Sequence, residues 1–394
     1  MTKRKNILIS TPTRREGTRL MIRAIAAYPD VSLNWRIHID DDMRAASDVE
    51  WLFSRDWDGI VLNTSNQEIP KQCQSRGIPC IDINDETASI PGIPKIRADN
   101  PALAHVAAEH LRDRGFRHFA FCGFSDQSWA QERKRGFCEA VELLGFSADV
   151  FETPYQDNDN QLRPKTEFDW HRSETENISQ WLRTLKTPVG IMACNDLRAV
   201  QVIDACIDLG VRIPDDFAIV GGGNEAFRCE IRHPSISSVP VNFHEYGRCI
   251  ARTMEALLNK QTDIPPEQLI EPTDAILRQS SDALAIDDPL VARAVRVLRD
   301  ANGIGITVDQ LVRAANSSRS QLERGFRKYF GHSPQTEIRQ CQVTYIKGLL
   351  TGTDMTLYDI ALVVGFKHPE YMSVVFKKLT GESPGAYRDR LAGS

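Results

Sequence analysis

The side chains best placed for chemistry lie on the outer sides of two helices near the C-terminus. Ser318, Arg319, Ser320, Gln321 and Arg324 belong to one, and His368, Glu370, Ser373, Lys377 and Lys378 to the other. Hydroxyl, amide and guanidinium groups on the first turns of a helix can hydrogen-bond base edges in the major groove of DNA, and lysines further along can meet phosphates. The two positions correspond because the chain repeats itself. Phe326-Arg-Lys-Tyr-Phe-Gly-His-Ser-Pro334 returns fifty positions later as Phe376-Lys-Lys-Leu-Thr-Gly-Glu-Ser-Pro384. A repeat at a fixed offset marks one structural unit used twice. For Arg319 and Arg324 the plain alternative is a solvated helix face.

The elements that must position these residues carry their own signals. Asp288-Pro289 reads as an N-cap followed by proline in the first turn. Thr307-Val-Asp-Gln310 fits a capping box, Asn316-Ser317 makes a turn, and Ser318 caps a second helix that turns Leu322 and Phe326 inward. Ile338, Cys341, Tyr345 and Leu349 fall on one face of a connecting helix. The second unit starts at Thr356, turns at Gly365, and enters its outer helix through His368 and Pro369, with Tyr371 and Phe376 expected inward. Residues 289–394 hold 15 Lys and Arg against 9 Asp and Glu, whereas residues 1–288 carry a net charge of −11. Affinity for a polyanion therefore belongs to the tail.

From Lys5 to about Arg278 short apolar runs alternate with helical patterns: 6–10, 36–39, 59–62, 80–83, 118–122, 190–193 and 217–220 read as buried strands. That βαβ rhythm predicts parallel sheets covered on both faces, in two lobes, with ligands bound beyond the carboxyl ends of the strands. Asp40-Asp-Asp42 follows a strand, so Asp41 or Asp42 could supply a carboxylate there, or the three acids form a solvated loop. Gly221-Gly-Gly-Asn224 lacks the spacing of a dinucleotide loop. No GxSxG, HExxH, P-loop or kinase set occurs, which argues against catalysis. Nine dispersed cysteines without a CxxC pair predict reduced thiols in a cytoplasmic protein, with neither disulfides nor a metal site. No apolar run approaches a membrane span.

Several phrases sharpen this reading. Arg97-Ala-Asp-Asn100, Gly115–Phe121, Arg133-Lys-Arg-Gly-Phe137, Ala193-Cys-Asn-Asp196 and Gly210–Gly221 keep the order found in LacI/GalR-type, periplasmic-binding-protein-like sensors. The resemblance implies two Rossmann-like lobes joined by crossing strands, a small ligand (often a sugar) in the cleft, and a homodimer. It implies that Arg133 contacts the sugar, the alternative being a surface arginine, and that Asp196 faces the cleft or caps the helix after it. Trp129 either stacks on a sugar ring or packs. Where such sensors commonly read Gly-x-Asp, Gly223 replaces the carboxylate, with Asn224 as its substitute or a different hydroxyl specificity as the result.

The tail, with Gly365-Phe366 and its twice-used Gly-x-Ser-Pro, resembles the AraC-type DNA-binding domain, departing from it at Val374, where arginine is common, and at Pro369. Sensor before tail is similar to the order in the xylose-operon activators, XylR-type regulators. The expected organisation is an α/β sensor over 1–279, a linker over 280–288, and an all-α double helix-turn-helix domain over 289–394. The resemblance implies a regulator of double-stranded operator DNA that answers to a sugar, D-xylose first, needs no cofactor, and meets RNA polymerase if it activates. A regulator answering to another small ligand, a repressor, or a carbohydrate enzyme with a helical appendage are the alternatives.

Overall fold

A computed structural model describes residues 4–29, 31–155, 167–283, 286, 288–353 and 355–392. The chain forms two compact units, one of residues 1–111 and 117–283, the other of 112–116 and 284–394.

The first unit contains two parallel sheets. One is built from β1 (Lys5–Ser10), β2 (Trp35–Asp40), β3 (Gly59–Leu62), β4 (Cys80–Asp82), β5 (Lys95–Ala98) and β11 (Glu267–Ile270), in the order β11-β5-β4-β3-β1-β2. The other holds β6 (Phe119–Phe124), β7 (Ala148–Thr153), β8 (Val189–Ala193), β9 (Phe217–Gly223) and β10 (Ser237–Pro240), in the order β10-β9-β8-β6-β7. The first five strands of each lobe therefore share one topology, and each lobe has its switch point between its first and third strands. β3, β6 and β8 are buried at every position, as strands covered by helices on both faces must be. The chain passes between lobes after β5, after β10 and after β11. Helix Phe243–Leu258 packs Cys249, Ile250 and Met254 into the core of the first lobe, and Ile276 returns to bridge Ser238 of the second.

The linker expectation needs correcting at its start. Gln279–Ser281 form a 3-10 turn, and Ser280 and Ser281 are fully buried. The Ser280 hydroxyl donates to the Ile219 carbonyl at 2.7 Å, and His110 Nε2 lies 2.8 Å from Ser281 Oγ. These serines finish the second lobe. Positions 284, 285 and 287 of the expected linker lie outside the described residues.

In the second unit two helix pairs, Val308–Ala315 with Arg319–Phe330 and Leu357–Val364 with Pro369–Thr380, are joined by helix Pro334–Gly352. Val291, Leu298, Leu311, Leu322, Phe326 and Ile338 form one core. Val343, Ile346, Leu350, Ile360, Phe366, Met372 and Phe376 form another. The connecting helix thus gives Ile338 to one core and its following turns to the other. Its buried face runs through Ile338, Gln342, Ile346 and Leu350, rotated from the expected stripe, so that Cys341, Tyr345 and Leu349 sit at the margin.

Candidate effector cleft and nucleic-acid interface

The cleft is built where the carboxyl ends of both sheets meet the crossing segments. Arg133 lies one turn into helix Ser128–Leu143 and is buried. Its Nε donates to Asn100 Oδ1 at 2.9 Å and its Nη1 to the Cys194 carbonyl at 2.6 Å. Trp129, half-buried one turn earlier, sets its ring 5.1 Å from the guanidinium and edge-on to Phe124. Asp196 follows β8 and is buried. The helix cap is its neighbour, Asn195, which accepts from the Arg198 N–H, leaving the Asp196 carboxylate for the cleft side. Asp196 accepts from Ser238 Oγ at 2.6 Å and from the Glu225 N–H at 2.7 Å.

The glycine run after β9 follows from this packing. A Cβ on Gly221 would stand 2.3 Å from Asp196 Oδ1, and one on Gly222 would stand 3.1 Å from Arg133 Nη1. Gly223 has φ +113°, a conformation side chains resist. Asn224 follows in the left-handed region at φ 51°, and its N–H donates to the same Ser238 Oγ at 3.0 Å.

Asp85, which no sequence reading singled out, completes the group. Asn84 and Asp85 lie just past the carboxyl end of β4, where ligands bind in such folds; that rule would have found them. Burial pushes the Asp85 carboxyl up to about 6, against the attraction of Arg133, Arg97 and Lys95. Burial likewise raises Asp196 to about 6, against the Ser238 hydroxyl and the Glu225 N–H. Asp85 Oδ1 and Asn224 Oδ1 are shielded from solvent and accept no hydrogen bond. Buried acceptors normally have partners, so a ligand with hydroxyl donors suits both. Lobe-to-lobe bonds flank the group: the Ala226 N–H donates to Glu16 at 3.0 Å, the Ser128 N–H to Glu86 at 2.9 Å, and Arg97 to Glu132 at 2.6 Å.

Asp41 and Asp42 do not join this group. They are exposed after β2, the edge strand, and neither bonds to Arg133, Asp196 or Asn224. Asp41 accepts from the Thr13 N–H, which holds its carboxyl below the usual range. The buried acid of the three is Asp40, which takes Ser10 Oγ and the N–H groups of Arg44 and Ala45. Among the described residues no cluster of His, Cys, Asp or Glu could hold a metal ion, and no helix is long and apolar enough to cross a membrane.

In the second unit both turns have the expected form. Thr307 with Gln310, Ser318 with Gln321 and Thr356 with Asp359 make capping boxes. Asn316 (φ 49°) and Gly365 (φ 84°) take the left-handed turn positions. Ser318, Arg319, Ser320, Gln321 and Arg324 are exposed. Gln321 spends its Oε1 on the Ser318 N–H at 2.9 Å, and Arg319 pairs with Glu323 and Asp309. Arg324 has no protein partner among the described residues. On the second outer helix His368, Glu370, Lys377 and Lys378 are exposed and Ser373 is half-buried. His368 holds the N-cap position without a side-chain cap bond. Tyr371 corrects the expectation of an inward ring: it is 51% exposed, and Met372 and Phe376, four residues apart, face the core instead. Tyr371 lies against Phe366 and the Arg339 guanidinium.

Comparison with known proteins matches these parts to families. Residues 108–281 match a periplasmic binding protein-like domain, 22–163 the periplasmic binding proteins and sugar binding domain of the LacI family, and 311–390 a helix-turn-helix domain. The xylose operon regulatory protein of Escherichia coli K12 is 27% identical over 98% of both chains. The chain is similar to the xylose operon regulatory proteins along nearly its whole length. The corresponding protein of Haemophilus influenzae is 27% identical over 94% of both. A solved structure of a xylose-binding transcription activator, xylR, superposes with a TM-score of 0.59 at 26% identity over 99% of both chains. A ribose-bound LacI-family regulator from Enterococcus faecium, 18% identical with a TM-score of 0.56, covers 71% of this chain and 99% of its own and shares the sensor fold. A homologue of this architecture, with an α/β sensor and an AraC-type tail, is a sugar-responsive DNA-binding transcription regulator.

Proposed function

We propose that the chain is a D-xylose-dependent activator of sugar catabolic genes that acts as a cytoplasmic homodimer, contacts RNA polymerase, and turns over no substrate. The observation that carries the sugar reading is the pair of unpartnered buried acceptors, Asp85 Oδ1 and Asn224 Oδ1, beside Arg133 and Asp196. A pyranose supplies hydroxyl donors to such oxygens and an apolar face to an aromatic ring such as Trp129. The xylose-named relatives span nearly the whole chain, which supports the pentose over other polyols. Asn224 serves in place of the carboxylate that Gly223 displaces. In the tail Arg324 leads base reading, Arg319, Ser320, Gln321, His368, Glu370 and Ser373 line the grooves, and Lys377 and Lys378 meet phosphates. The sensor runs on through the buried Ser280 and Ser281, and the DNA-binding domain spans 289–394.

Sugar acts by differential affinity for two states of the regulator. Moving the competent state from 1:99 to 99:1 requires about 5.5 kcal/mol. A thermal-shift panel of pentoses and hexoses tests the reading. D-xylose should give the largest stabilisation and should tighten operator binding in footprints; stabilisation by a hexose alone, or by none of the sugars, would overturn it.

A further inference from the structure

The repeat aligns the two outer helices of the tail residue by residue. Shifted by fifty positions, Leu322 falls on Met372 and Phe326 on Phe376, and all four are buried. The inward faces of helices Arg319–Phe330 and Pro369–Thr380 therefore match. The outward faces do not. Gln321 corresponds to Tyr371 and Arg324 to Val374, and these four are exposed. The first helix thus offers an amide and a guanidinium where the second offers an aromatic ring and a pair of methyl groups. Val374 is 62% exposed although it is apolar. Tyr371, three residues earlier, is its neighbour on the helix surface. Its ring is held 5.9 Å from the Phe366 ring and 5.4 Å from the Arg339 guanidinium. Lys377 and Lys378, also exposed, follow Val374 by three and four residues and so share its face. An apolar protein partner laid on that face would have to strip water from both lysines. Duplex DNA offers them phosphates, and its major groove carries one apolar group, the 5-methyl of thymine.

We propose that Val374 reads thymine, packing its methyl groups against the thymine 5-methyl. The operator segment under the second outer helix is then set by A·T pairs, while guanine is read under the first. This rests on the role proposed above for the two helices as base readers. The chemistry follows from what each side chain can do. Arg324 can give two N–H groups to guanine O6 and N7, a pattern no other base presents in the groove. Val374 has neither donor nor acceptor and gains only by removing apolar surface from water. It separates thymine from cytosine by the methyl group, which cytosine lacks. One protomer therefore reads its two groove segments by different means, although the modules are copies in their cores.

Deoxyuridine scanning tests this with the full-length chain. Binding duplexes are first selected from random DNA, with and without D-xylose, and each thymine is then replaced singly by deoxyuridine, which keeps the base pairing and lacks the methyl. At the thymines facing the second helix the change should weaken binding about fourfold, the worth of one methyl group taken out of contact. Those thymines should lie about 10 base pairs from guanines whose replacement by 7-deazaguanine weakens the wild type but not Arg324→Ala. Val374→Ala should weaken binding to the unmodified duplex by a similar factor and abolish the deoxyuridine effect. Alanine is the better helix former, so the variant keeps the helix. Leu362→Ala, at an exposed apolar position on the preceding helix, should preserve the effect. A deoxyuridine effect undiminished in Val374→Ala, or absent at every thymine, overturns the inference and leaves DNA binding by the tail intact. If no duplex is enriched, sequence-specific binding itself fails, and the inference with it.

Discussion

Asp85 concentrates the chemistry of the cleft in one carboxyl. Burial opposes its ionisation more strongly than the neighbouring cations favour it, so its folded pKa, about 6, stands above the ordinary carboxylate value. The folded state then holds a proton that the unfolded chain releases at lower pH. Stability from this group is greatest below about pH 4, falls as pH rises toward 6, and stays low above it. Asp85→Asn removes the cost and should raise the melting temperature of the sugar-free protein at pH 7, by about 1 kcal/mol of stability. It should also flatten the profile between pH 4 and 6 and weaken sugar-induced stabilisation. Thermal melts across that range, with and without D-xylose, check both effects, and an unchanged sugar response would remove Asp85 from the site. Arg133 gives a less clean test. Because it bonds Asn100 and the Cys194 carbonyl, Arg133→Ala should lower stability as well as affinity. The resemblance to LacI/GalR-type sensors pointed to Arg133 and Asp196, which lie buried beside the glycine run after β9; residue identity alone pointed to the acids after β2. It misled at Asp41 and Asp42, because an acidic run does not reveal which strand lies at the edge of its sheet.

At the scale of elements, β9 ends as a strip of backbone against which two charged side chains close. Gly221→Ala should therefore displace Asp196, cost about 1–3 kcal/mol, and loosen sugar binding, read by denaturant melts and calorimetric titration. In the tail, the turn after the first outer helix rests on a histidine between acceptors. His332 Nδ1 lies 2.6 Å from the Phe330 carbonyl, and Nε2 lies 2.8 Å from the nearly buried Glu337 carboxylate. Both nitrogens meet oxygens that only accept, so the doubly protonated ring fits best, and Glu337 raises its pKa. This stabilisation is complete below about pH 6.5, the ordinary histidine value, and is lost as pH rises through the higher folded value. Amide exchange over residues 330–340 should accelerate on that rise beyond its intrinsic pH dependence, and His332→Gln should lose the excess. The tail was the more legible half: its caps, turns and most core positions are local signals carried on a repeat. Tyr371 failed because an aromatic beside a methionine at helical spacing does not say which one turns inward. In the sensor, β7 and β11 went unread because they are edge strands with mixed burial, and β10, though buried, because Ser237-Ser238-Val239-Pro240 carries no apolar run. β5 was hidden by Lys95, buried through its ion pair with Asp82 at 3.0 Å.

For the molecule as a whole, DNA binding and sugar response should separate experimentally. Arg324, without a protein partner among the described residues, has none of those to give up when it meets DNA, whereas Arg319 must exchange Glu323 and Asp309. Arg324→Ala should weaken operator binding by about 1–3 kcal/mol and Arg319→Ala by less, measured by fluorescence anisotropy. Affinity should fall steeply with added salt, while the sugar-induced melting shift should not. The sensor also resists being divided. Because the chain passes from one sheet to the other three times, the first lobe draws helix Phe243–Leu258 and β11 from sequence that follows all five strands of the second. A fragment ending before Phe243 would leave Ile7, Ile25 and Ile250's other neighbours uncovered. The two halves of the receptor must therefore be completed together, and a ribosome must deliver about two-thirds of the polypeptide before either one can close its interior.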